Sequence, residues 1–350
     1  MMNFKLIKDL TEIRGISSYE YNVVNYLKNY LDQRQIPYKS DGLNSLVAYN
    51  INNKKPKIML AAHMDEVGFL VKDIDDNGFI MMQTIGSWWS HLVAGQLMDI
   101  STQEGKVYMG VVGSLPTHGI KAEVKAKTMD IEHLYLDLGV SSKTKVLELG
   151  IRIGDMITPH TKTVKLNEDG YLLAKAFDDR IGDYIALEVL NKMNKDDNLY
   201  VAFTTLEEPG LRGARTATNM IKPDLAIAID TTLAGDTPLT NNICKLGGGV
   251  VLSMIDSNSI APRKLIKYLE NLCDQHHIPY QYAVFNGGGT DSGNIHKSFN
   301  GIINMTLSIP IRYMHTNHSI INNHDVEACI KLIKIIIKEM NFEILNSLEI

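Results

Sequence analysis

Along the chain, wholly apolar runs alternate with amphipathic segments and with short β-type runs separated by turn signals. "YEYNVVNYLKNYLDQRQ" places Tyr19, Val23, Tyr26, Leu27 and Leu31 near one face and predicts an amphipathic helix. "SLVAYN" and the apolar "KIMLAAHMD" predict strands. From about residue 69 the pattern changes. "FLVKDI" and "FIMMQTI" flank "DDNG", and "QLMDIST" and "KVYMGVV" flank "QEG", so both pairs read as β-hairpins closed by Gly-containing turns. Helical periodicity within 69–165 is confined to "SSKTKVLELGI". Beyond about 170, helix and strand alternate again through "RIGDYIALEVLNKM", "NLYVAFTTL", "GARTATNMI" and "PDLAIAID". Continuous apolar strands joined by helices predict a sheet buried on both faces. The predicted class is α/β: a mixed, largely parallel sheet sandwiched by helices, with a small β-rich, barrel-like domain inserted. Residues 1–68 and 166–350 form the larger unit, and 69–165 form the insert.

Composition narrows the function. The 350 residues are 45% hydrophobic and 21% charged, an ordinary globular balance. A net charge of −5 with scattered Lys and Arg argues against a nucleic-acid partner. Cys244, Cys273 and Cys329 are far apart and read as reduced thiols. The N-terminal segment lacks a signal-peptide core, and no apolar stretch approaches membrane-spanning length. The expectation is a soluble, cytoplasmic protein with no membrane partner.

The chemistry gathers at strand ends, where open α/β sheets collect ligands. "KIMLAAHMDE" ends on His63 and Asp65, "LYVAFTTLEE" on Glu207 and Glu208, "DLAIAID" on Asp230 and "NMTLSIPIRYMH" on His315. "AFDDRIGDY" adds Asp178 and Asp179 between an extended segment and a helix. Acids at such places are ordinary helix caps one at a time. Together they would repel one another, and two divalent cations are the economical compensation. His63 and Asp65, two apart on a strand, are expected on one face. A donor set of His and carboxylate without Cys suits Zn²⁺, Co²⁺ or Mn²⁺ at a catalytic pair rather than a closed structural site. Of Glu207 and Glu208, one can hold metal while the other takes a proton from water.

These motifs resemble the tetrahedral (TET) and glutamyl aminopeptidases, co-catalytic metallopeptidases of the MH clan. The resemblance runs through "AAHMDEVGFLV", "GVVGSLPTHGI", "LYLDLGVSSKTKVLELGIRIGD", "KAFDDRIGDY", "EEPGLRGA", "GGTDSGNI" and "RYMHT", in the family's order. It implies a zinc-exopeptidase-like fold and removal of N-terminal residues from short peptides. By the same resemblance Asp178 bridges two metal ions, His63 and Asp230 complete one shell, and Glu208 and His315 complete the other. Glu207 is then the general base and Asp65 the acid behind His63. A cis peptide after the bridging aspartate is implied too, as are homo-oligomers, dodecamers in this family, that use the inserted domain and helices for contacts. Trp88–Trp89 in that insert suits an interface, an entrance or a local core.

The chain departs from the family at Pro209, where valine is usual, and His318 offers a second imidazole near His315. "NGGGTDSG" lacks the lysine ending of a phosphate loop, and by resemblance it lines the substrate cleft. Other binuclear hydrolysis (a deacylase or carboxypeptidase) is the nearest alternative. A glycoside hydrolase would leave the histidines unexplained, and a peptide-binding scaffold would use its metals structurally. Acidic substrates would need a basic pocket residue, for which Lys245, Arg263 and Arg312 are candidates.

Overall fold

The computed structural model describes every residue except 1, 116–117, 120–122, 124–126, 128, 193, 195, 239, 241–243, 285–286 and 349–350. Parts of the 110–120 and 286–293 motifs therefore lie outside the described residues. In chain order the strands are β1 (Tyr38–Ser40), β2 (Leu46–Asn50), β3 (Ile58–His63), β4 (Gly68–Ile74), β5 (Ile80–Ile85) and β6 (Leu97–Ser101). There follow β7 (Val107–Gly113), β8 (Tyr135–Asp137), β9 (Met156–Pro159), β10 (Val164–Lys165), β11 (Tyr171–Ala174) and β12 (Leu199–Thr204). The last are β13 (Leu225–Leu233), β14 (Val250–Ile255), β15 (Tyr280–Val284), β16 (Ile303–Ile311) and β17 (Ser319–Asn322).

Eight of them form the main sheet, in the order β1-β2-β12-β3-β13-β16-β14-β15. Its centre, β12-β3-β13-β16, is parallel, with Thr204 opposite His63 and Asp230 opposite Ser308. β1, β2 and the β14–β16 contact are antiparallel, so the sheet is mixed, as the alternation predicted.

The strand pleat sorts side chains to two faces. Ile58, Leu60 and Ala62 of β3 join Leu225, Ile227 and Ile229 of β13 in the larger core, with the helices Phe4–Glu12, Tyr21–Asp32, Phe177–Leu190 and Asn323–Glu339. The opposite face carries small residues, Ala61, Ala202, Ala226 and Ala228, against Ala214, Ala217 and Ile221 of the helix Arg212–Ile221. Small facing residues let that helix lie close to the sheet. The predicted N-terminal helix starts at Tyr21, and Tyr19 lies before it, donating from its hydroxyl to the Gly154 carbonyl.

β4-β5-β8-β7-β6-β9 close into a barrel around Phe69, Val71, Met98, Ile100, Leu136 and Ile157. Both expected hairpins are present as antiparallel pairs. Trp88 and Trp89 divide. Trp88 stacks on Phe69 at 4.8 Å and donates from Nε1 to the Gly68 carbonyl, whereas Trp89 is exposed against His91. Among the described residues no helix is long and apolar enough to cross a membrane. The three cysteines are free and buried.

Candidate metal centre

The parallel centre of the sheet brings the ends of β12, β3, β13 and β16 to one edge. His63 is the last residue of β3. Asp178 stands at the start of the helix Phe177–Leu190, which connects β11 of the small sheet β10-β11-β17 to β12. His315 lies four residues beyond β16, and Glu207 and Glu208 lie just past β12. Three non-glycine residues in the left-handed region turn the backbone here: Ala176 (φ 52°), Leu206 (φ 57°) and His315 itself (φ 54°). Such conformations cost of order 1 kcal/mol and collect at functional sites. The Asp178–Asp179 peptide is cis, as the resemblance implied.

Two trios emerge, each with ligand atoms within 4.8 Å of one another: His63, Asp178 and Asp230, and Asp178, Glu208 and His315. Asp178 belongs to both, with one oxygen for each. Its Oδ1 is 3.3 Å from His63 Nε2, and its Oδ2 is 3.2 Å from His315 Nε2. Glu208 Oε1 stands 3.4 Å from the same His315 nitrogen. Both imidazoles are anchored at the other nitrogen. His63 Nδ1 lies 3.0 Å from the Asp65 carbonyl, and His315 Nδ1 lies 3.0 Å from the Ser87 carbonyl. Anchoring Nδ1–H on a carbonyl leaves Nε2 as a lone-pair donor, the usual support for a metal-binding imidazole. The donor set therefore fits two divalent ions.

Glu207 is in neither trio. It is buried, and its Oε2 lies 4.0 Å from His63 Nε2. Asp65 lies beyond the end of β3 and stays beside His63, whose Nδ1 is 3.0 Å from its main-chain carbonyl and 3.5 Å from its carboxylate. The carboxylate also accepts the N–H of Glu207 (3.0 Å), the N–H of Glu208 (3.2 Å) and the Ser17 hydroxyl (2.5 Å). Asp65 thus positions both glutamates through their backbones, because the chain turns out of the strand at Met64. Pro209 leaves Glu208 within the second trio, and lines the cavity beside it. Gly86 must be glycine: its φ is +74°, and a Cβ would approach Glu208 Oε2 to 2.9 Å.

Ser87 gave no signal in the sequence reading, and Asp179 and Asp291 lie in motifs it singled out without a task for either. Asp179 accepts the His63 N–H at 3.2 Å and fixes the end of β3. Ser87 offers a carbonyl from the barrel segment. Asp291 is buried, receives the Thr204 hydroxyl at 2.6 Å and leaves Oδ1 without a hydrogen bond. His318 joins neither trio and lines a separate cavity with Arg312.

Burial dominates the electrostatics. It pushes the carboxyls of Glu207 and Asp230 well above the usual range, and neighbouring acids add to the effect. Burial opposes a charged His315, yet contacts with Asp178 and Glu208 push it up to about 11. Burial likewise opposes a charged His63, and Glu207, Asp178 and Asp65 overcome it. Asp178 is the counterpart: burial works against its charge, but the two imidazoles hold it far below the carboxylate range. The surrounding carboxylates thus favour positive charge at both imidazoles. Divalent ions would supply that charge and free both Nε2 atoms.

Behind the site, Lys175 Nζ reaches Glu66 Oε1 at 2.6 Å and Oε2 at 2.7 Å, both residues almost wholly buried. Burial pushes the Lys175 ammonium down to about 8, although Glu66 pulls the other way. Arg180 closes the cluster by donating to the carbonyls of Met64, Leu10, Ile13 and Gly15. Lys175→Met would leave the Glu66 carboxylate only the Gly15 N–H and the Arg180 guanidinium at 3.8 Å, and removal of one member of a buried pair costs up to about 3–5 kcal/mol. Urea unfolding should show a loss of that order. An unchanged midpoint would mean that the pair contributes nothing.

A family model described as M42 glutamyl aminopeptidase matches residues 44–332. The chain belongs to the M42 aminopeptidase family. It is accordingly a peptidase, and its family is one of metal-dependent hydrolases. This M42 peptidase is 32% identical over 350 residues to a lysyl aminopeptidase of Pyrococcus furiosus, covering 97% of this chain and 98% of that one. Among solved structures, a TET aminopeptidase of the marine sediment archaeon Thaumarchaeota archaeon SCGC AB-539-E09 superposes with a TM-score of 0.95 at 30% identity. That match covers 99% of this chain and 98% of the other. The Pyrococcus horikoshii TET1 peptidase, described as able to assemble into a tetrahedron or a large octahedral shell, gives 0.84 at 29% identity. It covers 96% of this chain and 99% of that one. The resemblance read from the motifs and the fold class read from the patterning agree with these matches.

Proposed function

We propose that this M42 peptidase is a two-metal aminopeptidase that removes N-terminal residues from short peptides. The observation that carries the reading is Asp178, which presents one oxygen to each of two anchored imidazoles. His63, Asp178 and Asp230 would hold one ion, and Asp178, Glu208 and His315 the other. Zn²⁺ suits the donors best, with Co²⁺ or Mn²⁺ as substitutes. When bound, such ions polarise a carbonyl oxygen and make water a stronger acid.

The chain's own contribution is proton handling and position. Glu207 stands outside both trios with its carboxylate beside His63, so it takes the proton of the attacking water and delivers it to the leaving amine. Asp65 holds the N–H groups of Glu207 and Glu208, fixing the base and a ligand together. We expect copies of the chain to assemble, as the Pyrococcus horikoshii TET1 peptidase is described as doing, with the barrel as the contact surface. A glycoside hydrolase would give the two anchored imidazoles no task.

The test compares a short peptide bearing a free N-terminus with the same peptide acetylated there. The free peptide should lose residues one at a time, and the acetylated one should stay intact. Chelation should stop the reaction, and Zn²⁺, Co²⁺ or Mn²⁺ should restore it. Equal cleavage of both peptides would exclude an aminopeptidase.

A further inference from the structure

We infer that this enzyme prefers a basic side chain on the residue it removes, and that Asp256 selects it. The inference rests on the aminopeptidase reading and concerns the wall of the same cavity. That cavity, of about 560 Å³, has no Lys or Arg among its described lining residues. Its carboxylates are Asp178, Glu207, Glu208, Asp230 and Asp256. Two divalent ions would balance four of these charges. Asp256 lies outside both trios, at the end of β14, away from the proton-handling Glu207.

Asp256 is held rigidly. Its Oδ1 accepts the N–H groups of Asn258 and Ser259, each at 2.7 Å. Its Oδ2 accepts the hydroxyls of Ser259 and Thr290, each at 2.9 Å. All four donors are neutral, so they fix the carboxylate without cancelling its charge. The Gly-rich segment beneath makes this possible. A Cβ on Gly289 would collide with Asn258 Nδ2, and one on Gly293 would reach Asn258 Cβ at 2.5 Å. The "GGTDSG" motif therefore presses against the 256–259 loop, and Thr290 ties the two together.

With its acceptor positions filled, Asp256 acts on a substrate through its charge, and a lysine ammonium is a compact point charge that answers it. Leu211, Ile255 and Met314 in the same wall can cover the apolar stem of such a side chain. An acidic side chain would meet a fixed like charge with no Lys or Arg among the described lining residues to offset it. Arg312, a candidate for that task, is committed to Asp236 at 2.8 and 2.7 Å and lines a different cavity. Lys245 and Arg263 are not among the described lining residues.

The experiment measures kcat/KM of the metal-loaded enzyme on lysyl, leucyl and glutamyl p-nitroanilides, before and after Asp256→Asn. Wild type should favour lysyl over glutamyl by more than about tenfold, the scale of one charge contact. Asp256→Asn should lower the lysyl-to-leucyl ratio about tenfold. Independently of any variant, added salt should lower that ratio in the wild type. A parallel fall for lysyl and leucyl substrates would overturn the proposal, because Asp256 would then serve the α-ammonium common to both. Faster glutamyl hydrolysis by wild type would overturn it as well. Hydrolysis of none of the three would remove the aminopeptidase reading itself, and the inference with it.

Discussion

Replacing Asp178 with Ala is expected to give a folded chain that holds no metal and removes no residues from peptides. Both trios share this carboxylate, and its two oxygens face different imidazoles. Its loss leaves each ion two protein donors instead of three, too few for the open catalytic sites that divalent ions occupy. Substitution of an outer partner already costs about 10–100-fold in affinity, so loss of a shared ligand should cost more. Elemental analysis after gel filtration should find the metal nearly absent, with a circular dichroism spectrum like that of the wild type. Two retained ions per chain would show that Asp178 is not shared between them.

Glu207→Gln separates proton transfer from metal binding. The amide keeps the size of the side chain and the backbone N–H held by Asp65. It cannot accept a proton from water at neutral pH. General-base catalysis contributes about 10²–10⁴-fold, so kcat should fall by that order. Metal content should stay at the wild-type level, since Glu207 belongs to neither trio. Wild-type turnover by this variant would assign the base to another group.

What the sequence made legible follows from what is local. An apolar strand ending on His63, or one carrying Asp230, announces itself because burial and chemistry adjoin in the same few residues. The pair Glu207–Glu208 was legible for the same reason, as was the change to hairpin patterning at the barrel. What stayed hidden depends on contacts far apart in the chain. Asp65 was expected beside His63, where its carboxylate stands 3.5 Å from Nδ1, but nothing local announced that it also reaches two backbone N–H groups more than a hundred residues away. Ser87 anchors His315 only because the barrel segment folds over the sheet edge. Asp291 sits within the Gly-rich motif that the resemblance placed at the cleft, but its own task was not legible, because only packing brings it under Thr204. The strand-end glutamates also reach their places by a left-handed turn at Leu206, not by simple strand alternation.

The most direct measurement of the central claim is a titration of metal into the chelated wild-type protein, with aminopeptidase rate followed against ions bound per chain. Two trios sharing Asp178 require full activity only when both are filled, so the rate should reach its plateau at two ions per chain. A plateau at one ion, with no further rise when the second binds, would contradict the two-metal account.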